Sequence, residues 1–208
     1  MAESALSRAL SASKTRTQGT DLHNVSLPRA ELAGLMLACA DLRGADLHGA
    51  DLQDAQLQHA DLRQADLRRA NLLFAILRGA DLRQANLARA NLYQARLAGA
   101  DLREADLQFA DLRRVNLYHA RLDGANLRNA QLEDAEMDGA VLIGANLRGT
   151  RLQPDQARRA IRTADGLARR AVNPETERFL LEPDLREPEI WRRLVFLRWM
   201  VRTGRLAR

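Results

Sequence analysis

The sequence predicts an all-β solenoid, and two features of a single internal repeat support this prediction. A five-residue phrase runs without a register slip from Thr20 to Pro154, which gives 27 consecutive repeats. The central residue is Leu in 26 repeats and Met137 in the other, and Ala stands two positions before the centre in 22. The residue immediately before the centre is Asp or Asn in 16 repeats. A repeat this regular determines the fold before any local structure is assigned.

A period of five residues fits neither a straight helix nor a straight strand. An α-helix turns by ~100° per residue, so successive centres would rotate by ~140° and scatter over every face. In a strand, successive centres would alternate between opposite faces. A chain that turns by ~90° every five residues buries every Leu and Ala, and four such steps close a square coil. Stacked at the strand spacing of ~4.8 Å, 27 repeats give about 6.75 coils and a rod of ~30 Å.

The phrase resembles that of the pentapeptide-repeat family, written A-(D/N)-L-x-x. It is clearest at residues 40–44, 45–49 and 60–64, and the resemblance covers residues 20–154. The resemblance implies the right-handed quadrilateral parallel β-helix of that family. The handedness follows from the resemblance alone.

The charge distribution divides the chain into three parts. Residues 1–19 form a polar segment that lacks the apolar run of a signal peptide, and we expect them either to cover the edge of the first coil or to fray. The formal charge of +5 belongs to residues 155–208, because residues 1–154 carry 19 basic and 19 acidic residues. The single Cys39 excludes an intrachain disulfide and favours a cytoplasmic location.

One column of the predicted coils carries a regular pattern of charge. Residues 20 apart are expected to stack, and in this column Asp precedes the centre while Arg follows it. The order is inverted at Arg121 and Asp123, which places Arg121 over Asp101 and Asp123 over Arg103 and predicts pairs of opposite charge between coils. We call this column the charge ladder. It comprises Asp41, Arg43, Asp61, Arg63, Asp81, Arg83, Asp101, Arg103, Arg121 and Asp123.

Two interpretations of the charge ladder are open. The first is a solvated face whose Asp side chains are neutralised by its Arg side chains. This interpretation is favoured because each Arg of the column has an Asp beside it. The second is an Arg stripe for phosphate or an acidic partner, extended by Arg68, Arg69 and Arg89 on the adjoining face.

Apolar residues break the polar pattern at two places. Leu73, Phe74, Ile76 and Tyr93 occupy positions expected to point outward, and we interpret them as a candidate contact with a protein partner. Corner packing, or cover by a terminus, is the alternative. Further along the chain, Val141 and Ile143 replace both charges of the ladder near its C-terminal end. We interpret these two residues as the docking site of a capping segment.

No group of residues in the sequence predicts chemistry. Cys39 and His59 stand at equivalent positions one coil apart, but a nucleophilic pair needs an orienting group and a concave site. His119 lies too far along the rod to complete a metal site with His59. The recurring glycines are expected to mark corners of the coil. We therefore predict no catalytic, metal or cofactor site and no enzymatic activity.

The C-terminal tail, residues 155–208, is predicted to be α-helical. Its last helix begins near Pro188, ends near Gly204, and is too short and too charged to span a bilayer. Three interpretations of this helix are open: a packed cap, a homodimer contact, and a helix that binds a membrane surface or a partner. The resemblance favours the homodimer contact, because better-known family members often dimerise through helices at the C-terminal end. The candidate residues are Ile190, Trp191, Leu194, Phe196, Leu197, Trp199 and Met200.

The function that the sequence favours is a non-catalytic rigid scaffold for an unidentified protein partner. The resemblance adds an alternative, because some pentapeptide-repeat proteins of bacteria mimic duplex DNA, bind DNA gyrase and protect it from quinolones. Such mimicry needs an acidic surface, whereas the repeats sum to zero charge and the tail is basic. Nucleic-acid binding through rows of Arg is a third possibility and would depend steeply on salt.

Overall fold

The computed structural model describes residues 19–153 together with Gln156 and Ala160. Its β structure consists of isolated parallel bridges between residues 20 apart, from Asp21 with Asp41 to Asn126 with Asn146. Each bridge is held by backbone hydrogen bonds between coils. The Asp41 N–H donates to Thr20 O at 2.9 Å, and the Leu22 N–H donates to Asp41 O at 2.7 Å. A coil is therefore 20 residues long, in agreement with the five-residue period.

Every corner between two sides of a coil is a tight turn. The Val25 N–H donates to Leu22 O at 3.2 Å, and the same bond recurs at each later repeat. The second residue after the Leu has a positive φ at all of these corners, and at 17 of them that residue is not glycine. Gly adopts this region without strain, whereas other residues adopt it at a cost. The sequence predicted glycine corners, but not the non-glycine corners, which the stacking of neighbouring coils stabilises.

The Asp or Asn before each Leu stabilises the adjacent turn. Asp51 Oδ1 accepts the backbone N–H of Gln53 at 3.1 Å, and Asn91 Oδ1 accepts that of Tyr93 at 3.2 Å. A short side-chain oxygen is needed to reach a backbone group two residues away, which explains the preference for these two residue types.

The core is a continuous column of Leu and Ala along the rod axis. From Leu27 to Leu147 the central side chains are at most 3% exposed, and Met137 fills its position as well as the leucines do. The Ala positions between them are also buried, and a small residue is favoured there because each side of a coil already holds one large Leu; Leu35 and Val115 are larger residues buried at two of these positions.

Two residues beyond the last repeat cover the C-terminal end of the described coils. Gln156 is buried, and its Nε2 donates to Leu132 O at 3.1 Å and to Ala135 O at 2.8 Å. Elsewhere, a carbonyl in the position of Ala135 accepts the backbone N–H of the next coil, so the Gln156 amide replaces a missing coil. Ala160 is buried as well.

Several predictions fall on residues outside the described part of the chain. They concern most of the N-terminal segment 1–19 and the whole of the predicted last helix with its candidate residues. Among the residues described, no helix has the length and apolar character needed to cross a membrane.

Candidate functional site

The charge ladder is held together mainly by ion pairs within each coil. Arg63 donates through Nε to Asp61 Oδ1 at 2.8 Å and through Nη2 to Asp61 Oδ2 at 2.6 Å. The same two-point contact joins Arg103 to Asp101. Because side chains two residues apart flank each buried Leu on the same side of a coil, an Arg reaches the Asp that precedes it.

Longer contacts connect one coil of the ladder to the next. Arg43 Nε lies 3.7 Å from Asp61 Oδ2, and Arg63 Nε lies 3.6 Å from Asp81 Oδ2. The hydrogen bond from Arg43 lowers the pKa of Asp41 to about 2. The guanidinium groups of Arg43, Arg63 and Arg83 are therefore each shared between two carboxylates.

The inverted pair lies where the sequence predicted but makes a different contact. Arg121 lies directly over Asp101, but its Nε approaches Asp123 of its own coil, at 3.4 Å. Its influence on Asp101 is a longer-range charge effect. Burial raises the pKa of Asp101, and hydrogen bonds from Arg103 together with the charges of Arg103 and Arg121 more than reverse that rise.

A shallow groove of about 530 Å³ follows the Arg side of the ladder. Its far wall is a chain of amides, in which Gln64 Nε2 donates to Gln84 Oε1 at 3.1 Å and Gln84 Nε2 donates to Glu104 Oε2 at 2.9 Å. Both walls thus satisfy their polar groups internally. The geometry supports the neutralised, solvated face rather than an Arg stripe that needs an external anion.

A second groove, of about 510 Å³, follows one corner of the solenoid, where the face centred on Leu72 and Leu92 meets the face centred on Leu77 and Leu97. We call it the corner groove. Its lining combines apolar side chains with charged and amide groups from five successive coils. The lining residues are Asp54, Phe74, Ile76, Gln94, Ala95, Arg96, Arg114, Asn116 and Glu136.

The corner groove includes two of the four residues of the predicted apolar contact. Phe74 is 40% exposed at a corner with φ of 59°, and Ile76 stands beside it. Leu73 and Tyr93 lie on the neighbouring face, outside the groove lining, and both are partly buried. The Arg113 guanidinium covers the Tyr93 ring at 5.5 Å, so this ring already has a polar cover.

The charged groups of the corner groove differ in whether they have partners. Arg114 Nε lies 3.5 Å from Asp134, and Glu136 accepts a hydrogen bond of 2.6 Å from the Asn116 amide. Within residues 19–153, no carboxylate contacts the exposed Arg96 guanidinium. Arg96 replaces the usual Asp or Asn before a central Leu, and nothing else in the sequence distinguishes it from the other arginines.

Val141 and Ile143 end the ladder column, as the sequence indicates. Val141 is bridged to Arg121 and partly buried, whereas Ile143 is 46% exposed. The segment predicted to dock on these residues lies outside the described part of the chain.

The histidines and the cysteine form no reactive group in the described residues. Cys39 is exposed, and the His59 ring lies over Gly79 of the following coil, on the side away from Cys39. Asp21, His23 and Asp41 bring their ligand atoms within 4.8 Å of one another on the surface. Exposed groups of this kind are common without a bound ion, and we assign this one no role.

The repeat pattern decides the family. The family described as Pentapeptide repeats (8 copies) matches at residues 18–54, 45–84, 80–117 and 116–153, well over half of the chain. The chain belongs to the pentapeptide-repeat family. Its known fold is a right-handed β-helix, consistent with the parallel bridges and the four corners of each coil.

Solved structures of the same family are similar to this chain. HetL, involved in heterocyst differentiation regulation in the cyanobacterium Nostoc sp. strain PCC 7120, is 38% identical over 64% of this chain and 64% of its own length, with a TM-score of 0.41. A protein of the Arabidopsis thaliana thylakoid lumen is 25% identical over 80% of this chain and 88% of its own, with a TM-score of 0.31.

Full-length QnrB1, a plasmid-mediated fluoroquinolone resistance protein, is 19% identical over 64% of this chain and 75% of its own, with a TM-score of 0.42. The match to HetL covers 64% of HetL, so this chain spans less than two thirds of its length. No curated protein matches the sequence.

Proposed function

We propose that this protein is a non-catalytic, rigid scaffold of about 6.75 coils that binds a protein partner through the corner groove. The observation that supports this function is the exposed Phe74 beside Ile76, in a groove that also carries charged and amide groups. An aromatic ring exposed on a rigid backbone contributes contact area with little loss of conformational entropy on binding.

The charge of the described coils argues against imitation of duplex DNA. Residues 19–153 carry 16 basic and 18 acidic residues, which leaves a net charge of only −2. The Asp side chains of the ladder are also paired with guanidinium groups rather than presented alone. Gyrase binding by mimicry therefore has no support from the described surface.

The proposal has a cellular and a quaternary part. We place the protein in the cytoplasm, on the basis of its single Cys39, and as a homodimer formed through the predicted last helix of the tail. In this arrangement the tail joins two copies, while each corner groove is free to take a partner.

The test is affinity capture with the intact protein and two matched aromatic variants. Phe74→Ala removes the ring in the corner groove, and Phe109→Ala removes a ring that is 47% exposed at an equivalent corner, with φ of 58°. We expect a captured partner to be lost with Phe74→Ala and retained with Phe109→Ala.

A version that ends at Pro154 separates the rod from the tail. Retention of the partner by a monomeric truncated protein would agree with a binding site on the rod and a dimer contact in the tail. Equal capture by Phe74→Ala and Phe109→Ala would refute a role for the corner groove.

A further inference from the structure

The corner groove has a polarity along the rod that defines the chemistry of its occupant. From the N-terminal end, its outward side chains run from Asp54 through Phe74 and Ile76 to Arg96 and then to Glu136. Ile76 and Arg96 are bridged and hence adjacent, about one coil spacing of ~4.8 Å apart. An apolar patch therefore stands next to one guanidinium, with a carboxylate at either end.

Arg96 is the cationic group of this groove that the described residues leave without a partner. Asp54 accepts a hydrogen bond from Gln53 at 3.2 Å, and Arg114 and Glu136 have the partners described above. Within residues 19–153, the Arg96 side chain makes no hydrogen bond or ion pair. Its guanidinium has five donors in a planar fork, a shape that suits a carboxylate.

We infer that the corner groove binds an extended protein segment in which a bulky apolar side chain is adjacent to an acidic one. The apolar side chain packs on Phe74 and Ile76, and the carboxylate accepts hydrogen bonds from Arg96. This inference rests on the proposed function and specifies its partner. Arg96 is then the residue that selects an acidic segment over a neutral or basic one.

A nucleic acid fits the same groove poorly. A phosphate backbone carries a charge at every nucleotide. This groove offers one cation that is unpaired among residues 19–153, and the carboxylates of Asp54 and Glu136 flank it. An acidic side chain that places one carboxylate beside Arg96 brings no further negative charge near the carboxylates of Asp54 and Glu136. Charge complementarity therefore favours an acidic protein segment.

The chain provides a matched control for Arg96. Arg78 is exposed on the same face of the solenoid and likewise has no side-chain partner within residues 19–153, but it does not line the groove. Arg96→Gln and Arg78→Gln thus remove the same charge from the same protein. Only the first removes it from the proposed site.

The experiment measures the binding of three short fluorescent peptides of equal length to the full-length protein by anisotropy. They carry Leu next to Glu, Leu next to Gln, and Leu next to Lys. We expect the Glu peptide to bind best and Arg96→Gln to weaken it about fivefold, as for a partly exposed ion pair. Arg78→Gln should leave its affinity unchanged, and Arg96→Glu should reverse the preference towards the Lys peptide.

The outcomes separate this inference from the proposed function. Binding that needs Phe74 but does not distinguish Glu from Gln, or that falls equally in Arg96→Gln and Arg78→Gln, overturns the acidic partner and leaves the groove as a binding site. Binding that Phe74→Ala and Phe109→Ala reduce equally overturns both. Thermal unfolding of each variant checks that a loss of binding is not a loss of fold.

Discussion

The charge ladder and the corner groove lie on the same solenoid, but their polar groups differ in one respect. In the ladder, every Arg from Arg43 to Arg103 is bound to the Asp two residues before it. Among residues 19–153, Arg96 of the corner groove has no partner, and it lines the same groove as the exposed Phe74. Polar side chains that pair with one another stabilise the solenoid. A polar side chain without such a partner can instead bind a group of another protein.

The difference arises from how closely each column follows the repeat. The ladder keeps Asp before and Arg after its central Leu over several coils, so each coil repeats the contact of the last. The groove column changes from Gln56 to Ile76, Arg96, Asn116 and Glu136, so no single contact repeats from coil to coil along it. Departure from the repeat is thus a guide to the functional surface.

The largest expected effect tests whether the two regions share one interior. Leu82 lies beneath the ladder and Leu77 beneath the face that carries Ile76, and both are fully buried. Leu82→Ala and Leu77→Ala should each lower the free energy of unfolding by about 2–5 kcal/mol, and by similar amounts, measured by urea denaturation. A loss confined to one of them would mean that the regions differ inside as well as outside.

The interior and the stacking of the coils are the parts that the sequence predicts well. A five-residue period buries every Leu only if the chain turns at each repeat and closes a coil after four repeats. Bridges between residues 20 apart, such as Asp41 and Asp61, follow from that geometry. The contacts of the long side chains do not follow in the same way. Arg121 has Asp101 and Asp123 within reach, and its rotamer decides between them.

The candidate site could be predicted only in part for the same reason. Phe74, Ile76 and Tyr93 stand out in the sequence because they break the polar pattern. The sequence does not show that the Arg113 guanidinium covers the Tyr93 ring. Arg96 does not stand out in a sequence with 31 other basic residues, because its lack of a partner within residues 19–153 is a property of the packed surface.

The second prediction concerns the corner between the groove face and the ladder face. A Cβ added to Gly79 would lie 2.7 Å from the His59 ring, whereas Gly99 has open space, and both have positive φ. Gly99→Ala should cost about 1 kcal/mol through backbone strain alone. Gly79→Ala should cost about 1 kcal/mol more, because the His59 ring must move.

Adding His59→Ala to Gly79→Ala isolates the steric part of that cost. We expect the double variant to match Gly99→Ala in urea denaturation, corrected for the effect of His59→Ala alone. Equal losses for the two single glycine variants would show that the His59 ring moves away freely.

The third prediction uses acid to weaken the ladder selectively. The hydrogen bond from its Arg partner lowers the pKa of Asp41 to about 2 and also lowers that of Asp61. Such carboxylates contribute stability that is present above the ordinary Asp pKa of 3.8 and is lost as the pH falls towards 2. Asp41→Asn should remove part of that loss, by about 1 kcal/mol or less because the pair is partly exposed.

Asp54→Asn in the corner groove is the control for the acid experiment. Asp54 is bound by the Gln53 amide rather than by a guanidinium, so this variant should change the pH profile of unfolding less than Asp41→Asn does. Parallel profiles for the two variants between pH 4 and 2 would contradict a special role for the ladder pairs.

The smallest expected effect compares two arginines directly. Arg63→Gln leaves the partly buried carboxylate of Asp61 without its two-point partner and should lower the free energy of unfolding slightly, because the pair is partly exposed. Arg96→Gln breaks no contact within the described residues and should change it by less than about 0.5 kcal/mol. In about 1 M salt, where the Debye length is ~3 Å, the two variants should differ less in free energy of unfolding, because salt screens the Arg63–Asp61 pair. If Arg96→Gln proves the more destabilising, this guanidinium has an intramolecular partner and is not available to an external carboxylate.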